Sequence, residues 1–387
     1  MRRLCHPYVI VLVAIAFRIA LIAPFTNWLG AHGELFKGSE PGHIAAHIVR
    51  GEGFASPYTD LPVPSGQQPP LYPLFIAGIF KLFGTYSRTS LYLVMIANAL
   101  AGGVGAFLIY RVGLKYFSPT VALIAAWSWS VLFPIAVTDM FVGNYSFSTL
   151  IVLSWLLLIP NLSERTLDWV LVGVATGLAL LLNPMLILLV PASVVWLVGR
   201  KKYVIVMLAM IMLTIAPWYV RNYRILGHFY PGLRDNLGLE LYFGNHRGMS
   251  GIYDGGGLPS RSKQLVEAGE AQFMESCMHD ALAYIRSDPQ SFLIRSGKRF
   301  LSFWLSPWPF LYCGIVPLAF LGLTLADRAF AWFTLIMFAV YPLAFYVTQA
   351  SWASSYRHPI EPLMLLMAAT PIAKIYGKTI LTSNLGS

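Results

Sequence analysis

Apolar runs separated by short polar breaks occupy most of the chain. The first run extends from about Tyr8 to Phe25, behind Arg2 and Arg3. Further runs cover about Ser90 to Tyr110, Thr120 to Val137 and Ser146 to Ile159, then a hairpin of two around Asn183-Pro184. Val204 to Trp218 is the next, followed by 310–325, 329–347 and 359–373. A helix crossing a bilayer needs roughly 17–25 apolar residues, so the pattern predicts an all-α integral membrane protein with about ten spans. Residues 70–84 would reach only about 22 Å as a helix, so they are expected to lie on the outer membrane surface. Two stretches break the pattern, 26–84 and 219–300, and both fall on the same, outer, side. The whole of 1–387 is read as one polytopic domain, with these two outer loops followed by C-terminal spans from 301 onward.

Charge placement orients the bundle. Arg2 and Arg3, Arg111 and Lys115, the run Arg200-Lys201-Lys202, and Lys374 all fall in short segments on one side. Short basic loops mark the cytoplasmic face, so both termini are expected there. Only 11% of residues are charged and 57% are hydrophobic. A soluble domain carries about 25% charged residues, which excludes that class. The net charge of +10 sits between apolar spans, so it reads as topology signal and anionic-ligand contacts rather than nucleic-acid binding. Cys5, Cys277 and Cys313 lie in separate segments, which argues against a disulfide framework or a thiolate metal site. The first span reads as a retained anchor, since Arg18 interrupts it and no small-residue cleavage site follows. Inside a span, Arg18 needs an acidic partner or must snorkel outward.

Two carboxylates reach the outer face from different spans, Glu40 after the first and Asp139 after the third. Acids near a membrane groove serve ion coupling, a structural pair, or acid–base chemistry. Glu40, His43 and His47 fall at i, i+3 and i+7 on one face of a short helix, opposite Ile44 and Ile48. Zinc sites use such spacings, but no third ligand is specified. The expected reading is the polar face of an interfacial helix, with no metal and with His43 available to a phosphate. The outer-face cations include Arg221, Arg224, Arg234, Arg247 and Arg357, the last beside His358. Guanidinium forks match phosphate oxygens. The second outer loop holds a polar helical stretch through Ala268–Ser287, ended by Asp288-Pro289.

These segments resemble the bacterial GT-C-type membrane glycosyltransferases, a family that includes aminoarabinose transferases acting on lipid A and protein O-mannosyltransferases. The resemblance is carried, in order, by EPGHIAAHIVRGEGF, QPPLYPLFIAGIFKLFG, Asp139, GLALLLNP, APWYVRNYRILGHF with RDNLGLELYFGNH, and YRHPIEP. It implies inverting transfer of a sugar from a polyprenyl-phosphate carrier to an acceptor at the outer face of a bacterial cytoplasmic membrane, without nucleic acid. It further implies that Glu40 is the base and Asp139 the second acid. His43, Gln68, Arg221, Arg234, Arg357 and His358 are then expected at the donor phosphate. Some members carry a Lys where Gln68 stands, which removes one charge from that position.

A flippase for the same lipid-linked sugars is the competing class. Transporters place ionisable groups near the midplane of two repeated halves. Here the acids sit at span ends and no two-half symmetry is evident. A non-catalytic assembly partner is the third class.

Overall fold

The computed structural model describes residues 6–30, 39–227, 232–249, 258–348 and 353–384. It is helical, with no strand among the described residues beyond an isolated antiparallel bridge between Ala55 and Pro64. Helix α1 (Pro7–Gly30) is followed by the two short helices of the first long loop, α2 (Glu40–Val49) and α3 (Leu71–Phe83). Then come α4 (Arg88–Tyr116), α5 (Pro119–Val131), α6 (Phe133–Thr138), α7 (Tyr145–Leu158) and α8 (Thr166–Leu182). Two helices of one turn each, α9 (Leu189–Ala192) and α10 (Val194–Leu197), lead into the long α11 (Lys201–Leu226). The second long loop contributes α12 (Leu237–Gly244) and α13 (Leu258–Ser287). The chain continues with α14 (Pro289–Leu305), α15 (Pro309–Leu323), α16 (Arg328–Val340), α17 (Leu343–Val347), α18 (Ala353–Arg357) and α19 (Glu361–Asn384).

Among the described residues, four stretches are long and apolar enough to cross a membrane: Pro7–Trp28, Arg88–Tyr116, Lys201–Leu226 and Arg328–Val347. The pair α14 and α15, bent by 88°, makes a fifth if counted as one span. Several of the expected spans are shorter or broken. The third divides at Leu132, whose backbone is extended (ψ 114°), because Pro134 cannot continue the helix of α5 and instead sits in the first turn of α6. The sixth is a chain of short turns between Asn183 and Arg200. The expected outer polar segment also ends early, because residues from Pro289 already form a helix capped by Asp288, which accepts from Ser291 N at 3.0 Å.

Close packing, rather than water exclusion, holds helices together in lipid, so small residues mark the contacts. The stretch Ala99-Leu100-Ala101-Gly102-Gly103 of α4 does this against α1. A Cβ at Gly102 would overlap Arg18 of α1 and come within 2.8 Å of Asp139 Oδ2. Only glycine lets α4 pass that ion pair. Trp129 of α5 is fully buried beside it and donates from Nε1 to the Gly102 carbonyl at 2.8 Å. Elsewhere α8 packs on α11 and α15 on α19. Leu12, Val198, Ile205 and Leu213 face outward as a lipid-contacting surface.

The loop after α1 and the loop after α11 fold onto each other. Ala45, Ala46, Tyr72, Ile76 and Phe80 form the core between α2 and α3. A second small core, Leu239, Phe243, Leu265, Phe273, Met274 and Cys277, belongs to α12 and α13. Tyr58 and Val63 of the first loop pack against it. The polar helix expected through Ala268–Ser287 is part of α13, kinked at Gly269 (φ 79°). Glycine occupies that left-handed conformation without the penalty a Cβ brings.

Candidate active site

Helix α2 begins at Glu40, which places an acid in the first turn where the unpaired backbone N–H groups favour negative charge. Its side chain is 30% exposed. Oε1 accepts from the Tyr58 hydroxyl at 2.7 Å, and Oε2 accepts from Gln68 Nε2. Arg234 Nη2 stands 3.8 Å from Oε2 and is itself 31% exposed. Gln67 Nε2 donates in turn to the Tyr58 oxygen. The arrangement is an open carboxylate, oriented by two donors, beside a cation with N–H groups to spare. Burial, and then the charge of Glu40, push the Tyr58 phenol well above its ordinary value, so Tyr58 stays a donor. Glu240, on α12, also bears on Tyr58 electrostatically.

Of the residues singled out in the sequence, the structure thus brings together Glu40, Gln68 and Arg234. His43 lies one turn along α2, its ring edge-on to Tyr86 at 6.1 Å. His47 is buried, with Nδ1 at 2.5 Å from Glu52 Oε2 and Nε2 at 3.1 Å from the Thr59 carbonyl. Both of its nitrogens are therefore engaged within the loop. Among the described residues no group of three or more His, Cys, Asp or Glu side chains is placed to hold a metal ion.

Arg221 has a different task from the phosphate contact expected of it. Its guanidinium donates to the Ser65 and Phe54 carbonyls and to Asn222 Oδ1. It sits 5.3 Å from the Phe54 ring centre and 5.0 Å from that of Trp218. Its hydrogen-bonding capacity ties α11 to the first loop. Arg224 is exposed at the end of α11, and Arg247 is exposed beyond α12.

Asp139, Arg357 and His358 depart furthest from expectation. All three are fully buried, and they belong to one network with Arg18 and Glu361. Asp139 Oδ2 accepts from Arg18 Nε at 2.6 Å, and Oδ1 meets His358 Nε2 at 3.0 Å and the Ser146 hydroxyl. His358 Nδ1 meets Glu361 Oε2 at 3.1 Å. Both imidazole nitrogens face carboxylate oxygens, which the doubly protonated ring satisfies. Arg357 Nε donates to Glu361 Oε1 at 3.0 Å, Nη1 to the Phe303 carbonyl and Nη2 to the Ser306 carbonyl at 3.2 Å. Tyr312 covers the guanidinium, 3.8 Å from its ring centre, and donates to Glu361 at 2.6 Å. Arg18 completes the network with the carbonyls of Ala14, Ser130 and Trp129.

Arg357 and His358 therefore brace the start of α19 instead of facing a lipid headgroup. A position beside a span end does not say whether a side chain points out or in. Among the described residues, the hydrogen bonds and ion pairs of Asp139 run to Arg18, Ser146 and His358 and not to Glu40, Tyr58, Gln68 or Arg234, so its carboxylate is shared between α1 and the turn before α19. The partner that Arg18 required is Asp139. One signal for the network was in the sequence: Arg357 and His358 stand four and three residues before Glu361, which puts all three on one helical face. Tyr58 and Gln67 carried no such signal, since they lie in an aperiodic loop.

Comparison with known proteins adds the following. The family model for dolichyl-phosphate-mannose-protein mannosyltransferase matches residues 67–220. A search of curated proteins finds no match. Among solved structures, ArnT from Cupriavidus metallidurans bound to undecaprenyl phosphate superposes with a TM-score of 0.51 at 14% identity. That match covers 91% of this chain and 59% of ArnT, so the chain spans less than two thirds of its length. An oligosaccharyltransferase from Archaeoglobus fulgidus, in complex with Zn and sulfate, aligns over 96% of this chain and 49% of its own, at 15% identity and a TM-score of 0.47. The chain thus shares its all-helical fold with ArnT, and its residues 67–220 match the mannosyltransferase family model.

Proposed function

We propose that this chain transfers a glycosyl unit from a polyprenyl-phosphate-linked sugar to an acceptor hydroxyl or amine, with inversion, at the outer face of a bacterial cytoplasmic membrane. The observation that carries the reading is Glu40, a part-exposed carboxylate held by Tyr58 and Gln68 beside the part-exposed Arg234. Glu40 takes the acceptor's proton as its oxygen or nitrogen bonds to the anomeric carbon. The bond from that carbon to the phosphate oxygen breaks, and the polyprenyl phosphate leaves with the electron pair. Arg234 stabilises the charge gathering on the departing phosphate, the kind of interaction that grows toward the transition state. Tyr58 and Gln68 keep the carboxylate as an acceptor and fix its direction. The undecaprenyl phosphate bound to ArnT supports a donor of this chemical class. Because the purified protein would release free polyprenyl phosphate from the glycosylated lipid, measuring that release with and without acceptor tests the reading. A flippase would move the lipid and leave the glycosyl bond intact.

A further inference from the structure

Three consecutive residues of the first loop, Ser65, Gly66 and Gln67, are gripped through their backbone by residues from the other side of the outer region. Arg221 of α11 takes the Ser65 carbonyl, and Arg234 Nε donates to the Gln67 carbonyl at 2.9 Å. Between them Asp235 N donates to the Gly66 carbonyl at 3.0 Å, and Glu270 Oε1 accepts from Gly66 N at 2.6 Å. The next side chains along this strip are Gln67 and Gln68, which reach Tyr58 and Glu40. Gly66, held by Glu270 of α13, is therefore two residues from Gln68, whose amide meets the Glu40 carboxylate.

Glu270 is an unusual group to place there. It is 2% exposed, and its Oε2 is buried without a hydrogen bond. It follows Gly269, whose left-handed backbone breaks α13 at this point and turns the carboxyl toward the loop. The groups facing it are Ser65 and the Gly66 amide from the first loop, Asp235 from the segment before α12, and Arg221 from α11. Burial is the main influence, and Asp235 adds to it, so the Glu270 proton is held up to about pH 8, against the weaker opposing pull of Ser65, Gly66 and Arg221.

We propose that Glu270 is a positioning residue for the Glu40 site, clamping Gly66 so that Gln67, Gln68 and Tyr58 hold the catalytic carboxylate. The proposal rests on the reading of Glu40 as the base. Ionisation sends the Glu270 proton to water and leaves a second negative charge beside Asp235 in a buried interface. The sign follows from linkage. A carboxyl whose folded value lies above its unfolded one gives full stability below the unfolded value, and that stability is lost as pH rises through about 8. The clamp is therefore tightest in acid, weakens progressively through neutral pH and is loosest above about pH 8.

Hydrogen exchange of the peptide spanning residues 54–68, corrected for the intrinsic rate at each pH, reads the clamp without any substrate. In the unsubstituted protein, exchange at pH 9 should be on the order of tenfold faster relative to pH 6.5. Glu270→Gln keeps the shape and an acceptor for Gly66 N without the ionisation, so its exchange should be the same at both pH values. Glu270→Ala should exchange fast at both. Turnover measured in parallel should fall between pH 6.5 and 9 in the unsubstituted protein and fall less in Glu270→Gln. Equal pH dependence of exchange in the unsubstituted and Gln proteins would overturn the proposal. So would a clamp that opens while turnover stays level. Absence of turnover at both pH values would instead overturn the transfer reading, and the exchange arm would still decide the clamp.

Discussion

Replacing Asp139 with Asn separates a structural acid from a catalytic one. The substitution preserves shape but removes the negative charge between Arg18 and His358, both fully buried. The network then holds three buried positive groups, Arg18, His358 and Arg357, against the single carboxylate of Glu361. Leaving a buried charge without its partner costs about 3–5 kcal/mol, more than the loss of an ordinary hydrogen bond at about 0.5–1.5 kcal/mol. The expected result is a lower apparent unfolding temperature in detergent and a lower yield of folded protein. Gly102 leaves no room for Arg18 to swing away, since even a Cβ there would overlap it. Pairing Asp139→Asn with Arg18→Met should recover part of the loss, because the cation most directly stranded is removed as well. The assay is thermal unfolding of the purified single and double variants, with turnover measured on the folded fraction. An Asp139→Asn protein that unfolds at the normal temperature yet has no turnover would refute this reasoning, and would return Asp139 to the chemistry.

Tyr58→Phe removes one of the two donors that orient Glu40. A hydrogen bond to a charged group is worth about 1.5–3 kcal/mol, so kcat/KM should fall by roughly ten- to a hundredfold, with the fold intact by circular dichroism. Arg234→Ala should raise the KM for the lipid-linked donor and lower kcat. Arg234→Lys should recover part of the donor affinity but less of kcat, since a point charge replaces a fork; equal kinetics for all three proteins would remove Arg234 from the phosphate.

What could be read in the sequence was set by how local the cause is. The membrane class, the helices α4, α7 and α8 and the break at Asp288-Pro289 follow from apolar run length and from proline, which act within a few residues. Glu40 was legible because it opens a short amphipathic helix directly after the first span. Gln68 and Arg234 were singled out as phosphate contacts, and the structure places both against Glu40. The fate of Asp139 was not legible, because it depends on which face of α1 carries Arg18 and on the glycine in α4 that admits the pair. The burial of Arg357 was not legible for a related reason. Its place just before the last apolar run, 359–373, suggested a span boundary, whereas Tyr312 and the carbonyls of Phe303 and Ser306 enclose the guanidinium from elements about 50 positions away in the chain. Glu270 had no sequence signal beyond its place in a polar helix, and only the kink at Gly269 turns it inward.

The central claim is that Glu40 acts as the general base, and turnover of Glu40→Gln tests it most directly. The amide keeps the size of the side chain and an oxygen for Tyr58 to donate to, but it cannot take the acceptor's proton. General-base catalysis contributes roughly 10²–10⁴-fold. Release of free polyprenyl phosphate from the glycosylated lipid, measured with acceptor present, should therefore fall by about that factor, while binding of the lipid-linked donor stays close to normal. Normal turnover by Glu40→Gln would contradict the account.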